Sequence, residues 1–230
     1  MNGKYLISAS AILGLSIALS GYFVKQGMSN YTDFNRYVSV KGLAEKTIKA
    51  DQAVWQLNIS FTADNPVAVY QGIEASQNAI QFFLTEQGFA IANISRQPIS
   101  INDNSAFNQN TAARYTGYTS MVINSRDVDR VNTSSQQMNT LAAKNISLSS
   151  STITYSFTQL NDIKPIMLDA ATSNAENAAQ AFAKNSHSQL AGIRNASQGQ
   201  FTISDDNNSG ISSIMKNVRV VTSVEYFLKN

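Results

Sequence analysis

No cysteine occurs among the 230 residues, and histidine occurs once, at position 187. The first absence removes a disulfide framework, a thiolate metal site and a cysteine nucleophile. The second removes any histidine-rich metal site, HExxH included, and leaves a single imidazole as a general base. Charge is scarce as well: Asp, Glu, Lys and Arg make up 14% of the chain, well below the usual quarter. The 17 basic residues are scattered and the net charge is +2, which excludes nucleic-acid binding through a basic stripe. The phosphate-cradling loops GxGxxG and GxxxxGK[ST] are absent, and so is the nucleophile elbow GxSxG.

Apolar residue types are plentiful at 43%, enough for a core, and the length suits one domain with or without an appendage. The longest apolar run is Tyr5–Val24, twenty residues without a charge, bracketed by Lys4 and Lys25. As a helix it is about 30 Å long, the thickness of a bilayer's hydrocarbon core. Tyr5 and Tyr22 stand where interfacial aromatics belong. The run predicts a membrane anchor over residues 1–25. The competing reading is a cleaved signal peptide, with Ala18-Leu19-Ser20 as its small-x-small site before Gly21. A polar tether follows at residues 26–36, and a domain at residues 37–230. The expected location is a bacterial inner membrane, with the domain in the periplasm; the alternative is a soluble periplasmic domain after cleavage.

Within the domain a brief strand is expected at Tyr37–Gly42. Ala53, Trp55, Leu57, Ile59 and Phe61 then alternate with Val54 and the polar Gln56, Asn58, Ser60 and Thr62, the pattern of a half-buried strand. Asn65-Pro66 reads as an N-cap with proline at the first helical position. Val69, Ile73, Ile80, Phe83 and Leu84 form the stripe of that helix, Gly88 closes it, and Phe89 packs back on its last turn. Strands are expected near 92–100, 115–124, 152–157, 197–203 and 217–228. Asp127 caps a helix over 128–143. Asn161 or Asp162 caps a longer one over 163–190, ended by Gly192, with Ile163, Met167, Ala170, Ala171, Ala178 and Phe182 inward. Roughly seven strands and three helices, with several strands adjacent in sequence, predict an α+β fold: a mixed or antiparallel sheet with helices packed on it.

Candidate chemistry is thin. His187, near the end of the long helix, is expected to face solvent. Asp205-Asp206-Asn207-Asn208-Ser209-Gly210 resembles the first half of a calcium loop, but position 12 is Lys216 instead of a bidentate glutamate; the plain reading is a hairpin before the last strand. No catalytic, cofactor-binding or metal-ligating residue is assigned, and no cofactor is expected.

Three blocks resemble the SIMPL-domain family, the bacterial periplasmic antigen type: YVSVKGLAEKTIKADQAVWQLNIS, FTQLNDIKPIMLDAATSNAENAAQAFAKNSHSQLAGIRNASQGQFTI and VRVVTSVEYFL. They appear in order and span most of residues 37–228. GYFVKQGMSN after the apolar run looks like the subgroup that keeps an N-terminal anchor. The resemblance implies an α+β envelope domain, often self-assembling into rings and loosely linked to stress tolerance, with no agreed catalytic residues. The expected function is therefore a non-enzymatic envelope protein that acts by homo-oligomerisation or by binding a protein partner. One alternative is a small-ligand or metal-binding module built on loops 101–114 and 204–216. Another is an envelope hydrolase using Ser and Asp with His187.

Overall fold

The computed structural model describes residues 14, 16–25, 36–106, 113–138, 141, 146, 148–206 and 211–229. Residues 16–25 are helical and expose Ile17, Leu19, Tyr22, Phe23 and Val24. Most of the earlier part of the expected 5–24 anchor lies outside the described residues. Among those described, no helix is long and apolar enough to cross a membrane.

The described residues hold nine strands and three further helices: β1 (Tyr37–Lys49), β2 (Gln52–Ala63), α1 (Pro66–Glu86), β3 (Ile94–Arg96), β4 (Ser100–Asp103), β5 (Tyr115–Ser125), α2 (Val128–Gln136), β6 (Leu148–Ser156), α3 (Leu160–Asn185), β7 (Gln189–Gln198), β8 (Thr202–Asp205) and β9 (Met215–Lys229). The α+β class holds. The single sheet of roughly seven strands does not: one sheet runs β1-β9-β7 with β8 also on β9, and a second runs β3-β5-β2-β6 with β4 also on β5. The extra strands come from segments read as one piece. Residues 92–100 divide into a 3-10 turn at Ile91–Asn93 and the short β3 and β4. Residues read as the end of the long helix belong instead to β7. By contact the chain forms two compact units: residues 47–162 with 203–218, and residues 1–46, 163–202 and 219–230.

In the first of these units, β2 is paired on both sides, antiparallel to β5 from Ala53↔Ser125 to Ala63↔Tyr115 and antiparallel to β6 from Gln52↔Ser156 onward. Side chains alternate across a strand. Ala53, Trp55, Leu57 and Ile59 are accordingly buried, while Gln56 is exposed and Asn58 and Ser60 half-buried. Phe61 breaks the series. It is 37% exposed, because its ring lies over the backbone of Gly72 in α1, at the rim of the core. The core joins Trp55, Leu57 and Ile59 to Met121 and Ile123 of β5 and to Ile80, Phe83 and Leu84 of α1. Trp55 also donates its indole N–H to Ser151 Oγ at 2.9 Å.

Local chemistry sets α1 as read. The Asn65 side chain accepts from Ala68 N at 2.8 Å, and Pro66 takes the first turn. At the other end Phe89 N reaches Leu84 O and Gly88 N reaches Thr85 O, with Gly88 at φ 83°. That is a Schellman closure, which favours glycine because the left-handed conformation crowds a Cβ. Phe89 then meets Trp55 edge-on, with ring centroids 6.4 Å apart. Asp127 caps α2 by accepting from Arg130 N at 3.0 Å, but the helix stops at Gln136, short of the expected 143. The start of α3 is secured from outside the helix. The Asp51 carboxylate accepts from Thr158 N, Thr158 Oγ1 and Gln159 N, all within 3.1 Å. Neither Asn161 nor Asp162 is therefore the cap; both lie inside the helix.

In the other unit, α3 buries Ile163, Met167, Ala171, Ala175, Ala179 and Ala183. Every step is four residues, the i±4 row of a helix. Each step advances about 40° round the axis. The expected stripe followed a 3.6 period, which is why Phe182 (59% exposed) and Ala170 fall outside the contact and Ala178 is only half-buried. The alanines let the backbones approach closely. A Cβ placed on Gly42 of β1 would lie 1.9 Å from the Ala171 carbonyl oxygen and 2.8 Å from Ala175 Cβ. Val40, Val224 and Tyr226 complete this small core. β1 also runs to Lys49, well past the brief strand expected to end at Gly42.

The parity of β2 gives a direct test. Leu57→Ala should lower unfolding stability by about 2–5 kcal/mol in urea titration. Gln56→Ala should stay within about 0.5 kcal/mol. Equal losses at the two positions would contradict the alternation.

Candidate functional site

Loop 204–216 is a hairpin between β8 and β9, with residues 207–210 outside the described set. Asp206 N bonds Met215 O at 3.2 Å. Asp205 Oδ1 accepts from Ser213 N at 2.7 Å and from the Lys216 ammonium. Ser213 Oγ donates to Asp206 Oδ1 at 2.7 Å. The Lys216 ammonium also approaches Ser212 Oγ at 3.4 Å, and that oxygen accepts from Tyr155 N at 2.9 Å. The Lys216 side chain is only 7% exposed. Lys216 and the Ser213 N–H hold the Asp205 carboxyl below the usual carboxylate range. Asp205 would be the first ligand of a calcium loop, and Lys216, at the twelfth position, has become its counter-ion. No group of three metal-ligating side chains occurs among the described residues. A cleft of about 280 Å³ lies beside the pair, lined by Tyr155, Phe157 and Ile203 among others. Burial raises the Tyr155 phenol above its ordinary pKa. Sequence reading missed this ion pair, because no periodicity marks Lys216 as buried.

Loop 101–114 is closed in the same manner. Arg114 Nε and Nη2 grip Asp103 Oδ2 at 3.2 and 2.9 Å, which holds the carboxyl well below its usual range. The guanidinium lies 5.1 Å from the centre of the Tyr115 ring. Asn104 Nδ2 donates to Thr116 Oγ1 at 2.7 Å. Each loop thus pairs one aspartate with a basic residue, Asp103 with Arg114 and Asp205 with Lys216.

His187 is exposed, as expected, but not on a helix face. α3 ends at Asn185. Ser188 N reaches Ala183 O and His187 N reaches Lys184 O, with His187 at φ 54°. This is the same closure that Gly88 makes on α1, with histidine where glycine is usual. Gly192, the expected terminator, sits inside β7.

A different feature stands out in the sheet containing β7. Among the described residues that strand pairs with β9 alone and forms a sheet edge ten residues long. None of its residues is buried, and Ile193 is 54% exposed. Its only charge, Arg194, is held by Glu225 Oε2 at 3.3 Å and lies 3.9 Å from the centre of the Tyr37 ring. The opposite edge, β1, carries Lys41, Glu45, Lys46 and Lys49. Charged residues, lysine above all, are the usual protection of an open edge, and β7 has almost none.

These features define a two-sheet α+β protein whose described residues offer paired charges and an open strand edge. A family model described as SIMPL, protein of unknown function (DUF541), matches residues 38–224. The chain belongs to the SIMPL family. No curated protein matches it.

Two tests follow from the ion pair and the helix end. A carboxyl whose folded pKa is depressed adds stability that is complete above its unfolded pKa, about 3.9, and is lost as pH falls through the folded value. Asp205→Asn should therefore lower the melting temperature at pH 7, and its deficit against wild type should shrink steadily below about pH 4. A constant deficit down to the acid limit would remove the pair from the stability account. His187→Gly should raise stability by about 0.5–1 kcal/mol, since glycine adopts the left-handed conformation without strain. His187→Val should lower it by about 1–2 kcal/mol.

Proposed function

We propose that the chain is a non-enzymatic cell-envelope protein that acts by association with further copies of itself, with its folded part tethered to a membrane through residues 5–24. The observation that carries this reading is the β7 edge. An open edge presents a row of backbone donors and acceptors, and a second strand satisfies them by pairing. The sequence QLAGIRNASQ places no proline there and one charge, already engaged. The membrane and periplasmic parts of the proposal rest on the uncharged run from Tyr5 to Val24 and on the exposed apolar side chains of residues 16–25. Family membership leaves the activity open, since sites and not folds carry function. A part in envelope or oxidative stress tolerance is the physiological role such a scaffold would serve.

The mass of the intact protein in detergent tests the proposal, measured by light scattering with and without residues 1–25. An oligomer is expected in both forms, a multiple of 25.0 kDa for the intact chain and of the shorter chain's own mass for the truncated one. Placing charge on the edge with Ile193→Lys and Ala196→Lys should return the protein to monomer with its melting temperature within a few degrees. A wild-type monomer, or an oligomer indifferent to the edge charges, would overturn it. N-terminal sequencing of protein from native membranes tests the tether: a chain beginning at Gly21 would replace the anchor by a cleaved signal.

A further inference from the structure

The face of the β3-β5-β2-β6 sheet opposite α1 has a composition of its own. Alternation brings Gln56, Asn58 and Ser60 of β2, Tyr118, Ser120 and Asn124 of β5, and Ser150, Thr152 and Thr154 of β6 to that side. No charged residue stands among these nine. Their register builds rows across the strands. Asn58 lies opposite Ser120 on one side and Ser150 on the other. Gln97 extends the row, because its N–H bonds the Ser120 carbonyl at 2.9 Å. Ser150–Asn58–Ser120–Gln97 is thus a line of hydroxyls and amides across four chain segments, about 14 Å long at the ordinary strand spacing.

The row is fixed in place. Asn58 Nδ2 donates to Ser150 Oγ at 2.7 Å, and Gln56 Nε2 donates to Asn58 Oδ1 at 3.1 Å. Beneath it, buried Gln77 of α1 donates to Thr119 Oγ1 at 3.1 Å, and Thr119 donates to the Gln97 carbonyl at 2.8 Å. This chain of bonds holds the Gln97-Pro98 segment against the sheet. The result is a concavity of about 270 Å³ lined by Asn58, Ser120, Ser149, Gln97, Pro98 and Tyr118. Tyr118, 47% exposed, forms one side of it.

We propose that this face binds an extended, neutral, β-linked glycan chain laid along the row. A sugar hydroxyl is at once donor and acceptor, and so are the serine hydroxyl and the two ends of a carboxamide. The row offers such groups in series, and none of its described residues carries a charge, which would cost desolvation against a neutral ligand. The C–H face of a flat sugar ring suits the electron-rich face of Tyr118, as aromatic rings combine an apolar body with a polar tip. A protein partner fits less well. Protein interfaces centre on a desolvated apolar core, and the described residues of this face offer only Tyr118, Pro98 and the half-buried Val54 and Val122. The proposal involves neither β7 nor the N-terminal segment, so it stands or falls apart from self-association.

The test uses the full chain in detergent, with chitohexaose and cellohexaose as neutral probes and a heparin hexasaccharide as the charged control, read by titration calorimetry. Saturable binding of at least one neutral hexasaccharide is expected, weakened about fivefold to tenfold in Tyr118→Ala, with an unchanged melting temperature and an unchanged oligomer mass. Asn58→Asp, which puts a charge into the row, should weaken it at least as much. Binding of neither neutral probe, equal affinity in Tyr118→Ala, or preference for heparin would overturn the proposal.

Discussion

The pairing of β2 on both its edges is the constraint on which the larger sheet rests. A strand held by β5 and β6 at once cannot change register without breaking two ladders. A one-residue slip would also send Trp55, Leu57 and Ile59 to the outer face and Gln56 and Asn58 into the core. That double penalty fixes everything placed on β2. It sets the inner face that α1 covers, the bond from Trp55 to Ser151, and the polar row on the other side. The candidate glycan face is the obligatory reverse of the core.

The smaller sheet depends on closeness. α3 approaches β1 so tightly at Gly42 that no Cβ fits there, and it meets the sheet through alanines spaced four apart. Small residues give up apolar area, about 0.8 kcal/mol for each buried methylene forgone. In return they allow backbone-to-backbone proximity. Larger side chains such as Ile166 and Phe182 are left exposed on the same helix.

Charges are used sparingly, and those in the described loops go into holding chain segments. Asp103 with Arg114 closes one hairpin, Asp205 with Lys216 another, Asp51 starts α3, and Glu225 with Arg194 binds β9 to β7. An acid already held by a cation is a poor nucleophile or metal ligand, because the charge it would use is neutralised. The described surface also carries neutral hydrogen-bonding groups and the β7 backbone edge. The proposed association along β7 and the proposed glycan row rest on these two kinds of group.

Local signals were legible in the sequence because they act within a few residues. The Asn65-Pro66 start of α1, its Gly88 closure, the Asp127 cap and the β2 alternation all depend on neighbours in the chain, and they appear where periodicity and capping chemistry put them. The family resemblance over residues 37–228 was likewise readable, from ordered blocks of residues. Tertiary contact decided the rest. The α3 stripe follows the sheet it lies on and not its own period. Asp51, 107 residues away, starts that helix in place of the adjacent Asn161 or Asp162. Lys216 is buried only because Asp205 returns beside it across the hairpin. Each of these is a long-range pairing, and sequence periodicity carries no record of which distant residue will arrive.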